Sequence, residues 1–172
     1  MHNHDLAGRH FTTSAIHIVE QVWPRAADRC MSSEVTAQTT PMLGLWSLLR
    51  WERQVGVVVL ERLGVEVDAL ARDVDRALDA VCTEARRQKG PPRLHILLSG
   101  HRMVAVNITA PLETLLGAAE HEALGLGHNW VGSEHLLLAI VRLADPRLRE
   151  LLDHHRVVYD GVRQAVRDFL HA

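Results

Sequence analysis

The sequence predicts an all-α protein built from two pseudo-symmetric four-helix repeats, with a small β-hairpin inserted between them. The first support is an internal repeat. "RWERQVGVVVLERLGVEVDALARDVDRALDA" (50–80) aligns without a gap on "RLADPRLRELLDHHRVVYDGVRQAVRDFLHA" (142–172), at an offset of 92 residues. Identities fall at Arg50/Arg142, Leu60/Leu152, Val65/Val157, Asp68/Asp160, Val74/Val166, Leu78/Leu170 and Ala80/Ala172. The second is periodicity: several of these identities are apolar and recur at three- or four-residue spacings, as a buried helical face requires. The third is helix punctuation. Gly64 suits the end of a helix in the first copy, and Pro146 after Asp145 suits a helix start in the second.

In chain order, residues 1–10 read as a flexible polar tail whose His2, His4 and His10 offer at most weak metal binding. Residues 11–172 read as one domain. The first repeat covers 11–89: a helix from Thr12 or Thr13 in "TTSAIHIVEQVW", a second in "TTPMLGLWSLLR", then the first copy of the internal repeat as two helices. The connector covers 90–108. Gly90, Pro91 and Pro92 stop the preceding helix, and "LHILL" and "MVAVNI" around "SGHR" predict a hairpin. A lone hairpin is marginal in water, so it should pack on a helical face or a partner. A plain extended linker is the rival reading.

The second repeat covers 109–172. Thr109 can cap, Pro111 lies in the first turn, and Glu113 complements the helix dipole. Leu112, Leu115, Leu116 and Ala119 form an apolar stripe; "GHNWV" is a loop; "SEHLLLAIVR" is a short, largely buried helix with Ser133 as its cap.

Composition narrows the function. The net charge of −2 gives no global attraction to nucleic acid or to an anionic membrane surface. Arg86, Arg87 and Arg93 around Lys89, the one lysine, lack the interleaved aromatics that stack on bases, so no nucleic-acid partner is expected. Cys30 and Cys82 are far apart, which argues against a disulfide framework or a thiolate zinc site. No apolar run approaches the roughly 20 residues of a bilayer span, and "MHNHDLAGRH" has no signal-peptide core. No membrane association and a cytoplasmic location are the expectations.

Catalytic motifs fail one by one. "HEALGLGH" begins like the zinc motif H-E-x-x-H but has Gly125 in the fifth place, and its histidines, His121 and His128, are seven apart. His128, His135 and Glu134 could meet around the loop as a metal or enzyme site; the competing reading makes both histidines scaffold. There is no phosphate-binding loop, because Lys89 is followed by Gly90 and Pro91. Ser133 has His135 nearby but no nucleophile elbow. Glu120 and Glu122 in "AEHE" read as a solvated helix face. No catalytic residue, metal or cofactor is predicted.

Two repeats of four helices, with "LGHNWVGSEHLLLAIVR" in the second, resemble the N-terminal double-repeat domain of Clp/Hsp100 unfoldases, closest to the ClpC type. "FTTSAIHIV" resembles the start of that family's first repeat, "ITAPLETLLGAAEHEALGLGHNWVGSEHLLLAIVR" the start of its second, and "VLERLGVEVDALARDV" its third and fourth helices. The match covers about Phe11 to Leu170 apart from the hairpin segment. The resemblance implies a non-catalytic module that docks substrates and adaptors ahead of ATPase rings. In ClpC-type members each repeat can bind phosphoarginine through a threonine at the start of its first helix and the glutamate of a G-T/S-E-H motif. Carried over, these are Thr109 and Glu134, beside Ser133, in repeat two. A glutamate can pair with a guanidinium, and helix-start N–H groups can hold a phosphate. Repeat one offers Thr12 but has Met42 where the glutamate would be, so its site is degenerate. No ATPase module follows in this sequence, so it reads either as a stand-alone protein of this type or as a fragment of a larger chain; "DFLHA" is compatible with a natural end, which favours the former as the expectation. It would bind Clp unfoldase or protease components, adaptors, substrate proteins or phosphoarginine-bearing proteins, as adaptor, decoy or regulator. The alternative is an interaction module without a ligand site, working through the hairpin and the altered first repeat.

Overall fold

The computed structural model describes residues 10–19, 33–51, 54–89 and 110–170. The expected tail up to residue 9, the hairpin in connector 90–108, and Thr109 lie outside the described residues. The described chain forms α1 (13–19), α2 (Ser33–Arg50), α3 (Val55–Arg62), α4 (Val67–Lys89), α5 (Ala110–Gly125), α6 (Ser133–Arg142), α7 (Pro146–His154) and α8 (Tyr159–Leu170). No strand occurs among the described residues; an isolated parallel bridge joins Phe11 to Val131. None of their helices is long and apolar enough to cross a membrane.

The offset of 92 seen in the sequence is realised in space. Val67 begins α4 and its counterpart Tyr159 begins α8. Leu70 and Val74 of α4 and their counterparts Val162 and Val166 of α8 are all fully buried. The helix ends match as well. At the end of α3, Gly64 has φ +75°, the Gly64 N–H donates to the Glu61 carbonyl (2.9 Å) and the Val65 N–H to the Leu60 carbonyl (3.1 Å). At the end of α7 the same bonds run from Arg156 to Asp153 (3.0 Å) and from Val157 to Leu152 (2.8 Å). Both are Schellman motifs, with buried Val65 and Val157 in the C″ place. Here the second repeat has Arg156 at φ 59°, a left-handed backbone that an L side chain adopts only at a cost.

α2 and α6 sit at the centre. They pack on each other, and α6 also contacts α3, α5 and α8. Every residue of α6 from Ser133 to Val141 is buried. A leucine there, such as Leu137, contributes about 1.5–3 kcal/mol by leaving water. α2 begins earlier than the sequence suggests, at Ser33, and carries Pro41 inside it. Aligned on α6, Thr40 matches Gly132 and Pro41 matches Ser133, the first residue of its helix. Inside α2 that proline has no N–H to offer the carbonyl four residues back, so the helix runs through it with one backbone bond fewer.

Two further expectations are corrected. Cys82, buried on α4, is disulfide-bonded, although the wide separation of the cysteines argued against one; the chain's other cysteine, Cys30, lies outside the described residues. Glu122 is no part of a solvated face but only 2% exposed. It accepts from Arg142 Nη1 (2.9 Å) and from the Tyr159 hydroxyl (2.8 and 2.7 Å), with Arg163 Nε 3.8 Å away. That cluster ties α5 to the end of α6 and the start of α8. Burial, then the Glu122 carboxylate, pushes the Tyr159 phenol above its ordinary range.

Candidate recognition site at the start of α6

α5 ends in another Schellman turn, with Gly127 at φ 82° and the His128 N–H on the Ala123 carbonyl (2.9 Å). The chain then runs through Asn129 and Trp130 to Val131, which is held by segment 10–12. The Val131 N–H donates to the His10 carbonyl (2.7 Å), and the Thr12 N–H donates to the Val131 carbonyl (2.9 Å). Thr12 also caps α1, its Oγ1 accepting from the Ala15 N–H (3.2 Å). The start of α1 therefore lies against the loop that leads into α6.

The N-cap of α6 is Gly132, with extended backbone, not the expected Ser133. Ser133 is the first helical residue, and its Oγ accepts from the Gly56 N–H near the start of α3 (3.1 Å). The N-cap of α3, Gln54, makes no side-chain bond to its own helix. Its amide instead donates to the Leu48 carbonyl and to the Trp51 carbonyl (3.1 Å), closing the end of α2. Ser133 thus supplies to α3 the cap that local sequence does not.

Glu134 follows in the first turn and is 3% exposed. Its carboxylate folds back over Gly132 so closely that a Cβ there would lie 2.2 Å from Oε1. Only glycine leaves room for this conformation. Burial raises the Glu134 carboxyl above the usual range, against lowering by its own backbone N–H and the Ser133 hydroxyl. Among the described residues its one ionisable neighbour is His135, at 3.2 Å.

The proton positions on the histidines follow from the backbone. The Gly132 N–H donates to His135 Nδ1 (2.9 Å), so Nδ1 must offer its lone pair and Nε2 must carry the proton. That proton points to His128 Nδ1 at 2.8 Å. Burial first, then the neighbouring His128, depresses the His135 imidazole to about 4. Both ring nitrogens of His135 are engaged, which leaves no lone pair for a metal shared with His128 and Glu134. The rival metal reading of this trio does not fit the geometry.

Of the sequence-predicted residues, Ser133 and Glu134 meet at the start of α6, with Thr12 in the segment bonded to Val131. Thr109 lies outside the described residues. Met42 is 1% exposed in the core and carries no polar group. Trp130 was missed: it is 41% exposed and stacks on His128 at 4.8 Å, beside the buried cluster. A tryptophan in a loop between two histidines is the signal that could have found it.

A central pair of buried helices, two matched helical pairs around it and a polar cluster at one helix start define the class: a helical double-repeat module. Residues 107–172 match the family model described as the Clp repeat (R) N-terminal domain. Over 122 residues, 71% of this chain, the sequence is 29% identical to a protein of Chlamydia pneumoniae named "Probable ATP-dependent Clp protease ATP-binding subunit". The chain spans 12% of that relative's length. The match over residues 107–172 supports a Clp N-terminal domain there, and the all-α double repeat has a Clp N-domain-like arrangement.

Proposed function

We propose that this protein is a non-catalytic recognition module of the Clp proteolysis system. It binds substrates, adaptors or Clp components, and takes a phosphorylated guanidinium, as in phosphoarginine, at the start of α6. One observation carries the ligand reading. Glu134 is a desolvated carboxylate without a cationic partner from Arg or Lys among the described residues, placed in the first turn of a helix. A guanidinium would pair with Glu134, while Thr12 and the helix-start N–H groups hold the phosphate; Thr109 is the further phosphate contact implied by resemblance. Exposed Trp130 offers adjacent apolar area for the rest of a peptide. The test is calorimetric titration with phosphoarginine. Wild type should bind, and Glu134→Gln should weaken binding at least about tenfold through loss of a charge-assisted bond.

A second reading is favoured by the burial of Glu134 against Gly132. There the carboxylate is part of the scaffold, and the module binds proteins without a small ligand. No heat from phosphoarginine in wild type, with capture of Clp components retained, would select this reading. Loss of that capture on deleting residues 93–108 would place the interface in the connector.

A further inference from the structure

We propose that Asp73, His154 and His155 form a binding site for a divalent first-row transition ion, zinc foremost, that clamps α4 of the first repeat to α7 of the second. One nitrogen from each imidazole and one carboxylate oxygen lie within 4.8 Å of one another. His155 Nε2 is already 2.8 Å from Asp73 Oδ2. Two imidazoles and a carboxylate are a borderline donor set of the kind that suits zinc, nickel, cobalt or copper rather than magnesium or calcium.

Three features make this more than a chance ion pair. The first is backbone geometry. Consecutive side chains on a regular helix diverge, but His154 is the last residue of α7 and His155 its C-cap, next to left-handed Arg156. The reversal brings the two rings to 5.1 Å between centroids, at 88°. The second is support for the carboxylate. Arg76 Nη2 holds Asp73 Oδ1 at 2.6 Å, which leaves Oδ2 for the histidines, as an outer-shell partner orients a ligand. The third is a graded exposure: the His155 side chain is 9% exposed and anchored, whereas His154 is exposed and able to swing onto an incoming ion.

Tetrahedral ligands 2.0–2.1 Å from zinc stand about 3.3 Å apart. The Asp73–His155 pair need only open from 2.8 Å by about half an ångström, and His154 need only close in. Water would complete the coordination. Among the described residues the repeat offset does not reproduce the site. The first-repeat counterparts of His154 and His155 are Arg62 and Leu63, and the second-repeat counterpart of Asp73 is Ala165. It is separate from the α6 cluster, so it stands whether or not phosphoarginine binds.

The experiment is zinc titration of the full chain without an affinity tag, by calorimetry and thermal unfolding. Cobalt absorption in the visible serves as a spectroscopic probe of the same ligands. Wild type should bind one ion with a rise in Tm of about 5–10 °C at a free concentration near 100 times Kd. His154→Ala, an exposed substitution, should keep the metal-free Tm and lose at least about tenfold in affinity; Asp73→Asn should remove the cobalt bands. A variant with His2 and His4 changed to Ala tests the tail histidines. Binding that survives His154→Ala and Asp73→Asn but vanishes in the tail variant overturns the proposal. So does an absence of binding by wild type at millimolar zinc.

Discussion

The starts of α2 and α6 occupy equivalent places in the two repeats and have opposite chemistry. Gly132, Ser133, Glu134 and His135 in one correspond to Thr40, Pro41, Met42 and Leu43 in the other. The replacements belong together. The Glu134 carboxylate occupies the space that a Cβ on residue 132 would take, and the matching position in α2 is a threonine, which has that Cβ. α2 also runs on upstream to Ser33, so the N–H groups near Met42 lie inside a helix, whereas α6 begins at Ser133 and leaves its first N–H groups without intrahelical partners. A helix start that can attract an anion and hold a carboxylate therefore exists at α6. In α2 both the free donors and the space are missing, and an apolar side chain fills the core instead. The difference between the two starts is a change of helix boundary and of a neighbouring residue, as well as of the glutamate itself.

The largest test of this contrast is Met42→Glu. A carboxylate forced into the core beside Thr40 should destabilise the fold by about 3–5 kcal/mol in urea unfolding. Adding Thr40→Gly should recover part of that loss, since it recreates the pocket over the N-cap. No recovery would mean that the glycine is not what admits Glu134.

Acid titration should separate the repeats next. The His135 imidazole titrates near 4 in the fold and near 6.5 in the unfolded chain. Between those values the unfolded state binds more protons, so this histidine's contribution is present above about pH 6.5 and is lost as pH falls towards 4. The loss is up to about 3 kcal/mol. Glu134 acts in the other direction. Its carboxyl is raised in the fold, so protonation on acidification favours the native state. Glu134→Gln should therefore steepen the acid loss measured by denaturant midpoints between pH 4 and 7. His135→Leu, which copies Leu43, should flatten it. A shallower profile for Glu134→Gln would show that its carboxyl is not raised.

The smallest effects belong to the matched turns after α3 and α7. Gly64→Ala should cost about 1–2 kcal/mol, and Arg156→Gly should gain about 1 kcal/mol, because both report the same left-handed position. A Tm shift of about 2–4 °C per kcal/mol makes the pair measurable by calorimetry. Equal signs for the two substitutions would break the equivalence of the repeats.

What the sequence allowed to be read was local. Asp145 and Pro146 announced α7, and the Asp145 Oδ1 does accept from the Leu148 N–H (2.8 Å). Gly64 announced the end of α3, and Leu112, Leu115, Leu116 and Ala119 marked the inner face of α5. The misreadings involve partners distant in sequence or signals that oppose each other. Glu122 looked solvated within "AEHE" because Arg142, Tyr159 and Arg163 come from other helices. Ser133 has the residue type and place of a cap for its own helix, yet its hydroxyl serves α3. Pro41 pointed to a helix start, yet α2 extends through it. The matched Clp repeat includes Glu134 and Ser133, which are described, and Thr109, which is not.

The hydroxyl of Ser133 on Gly56 also sets an order of events during synthesis. The equivalent helix α7 is capped by Asp145, a neighbour made in the same instant, but α3 must wait for a residue 77 positions further along. At translation rates of about 5–20 residues per second, that is a delay of about 4–15 s. Throughout it the nascent first repeat has α3 uncapped and has no α6 to cover its apolar side. The amino-terminal half of this molecule is thus an incomplete object on the ribosome, finished only by the half that follows it.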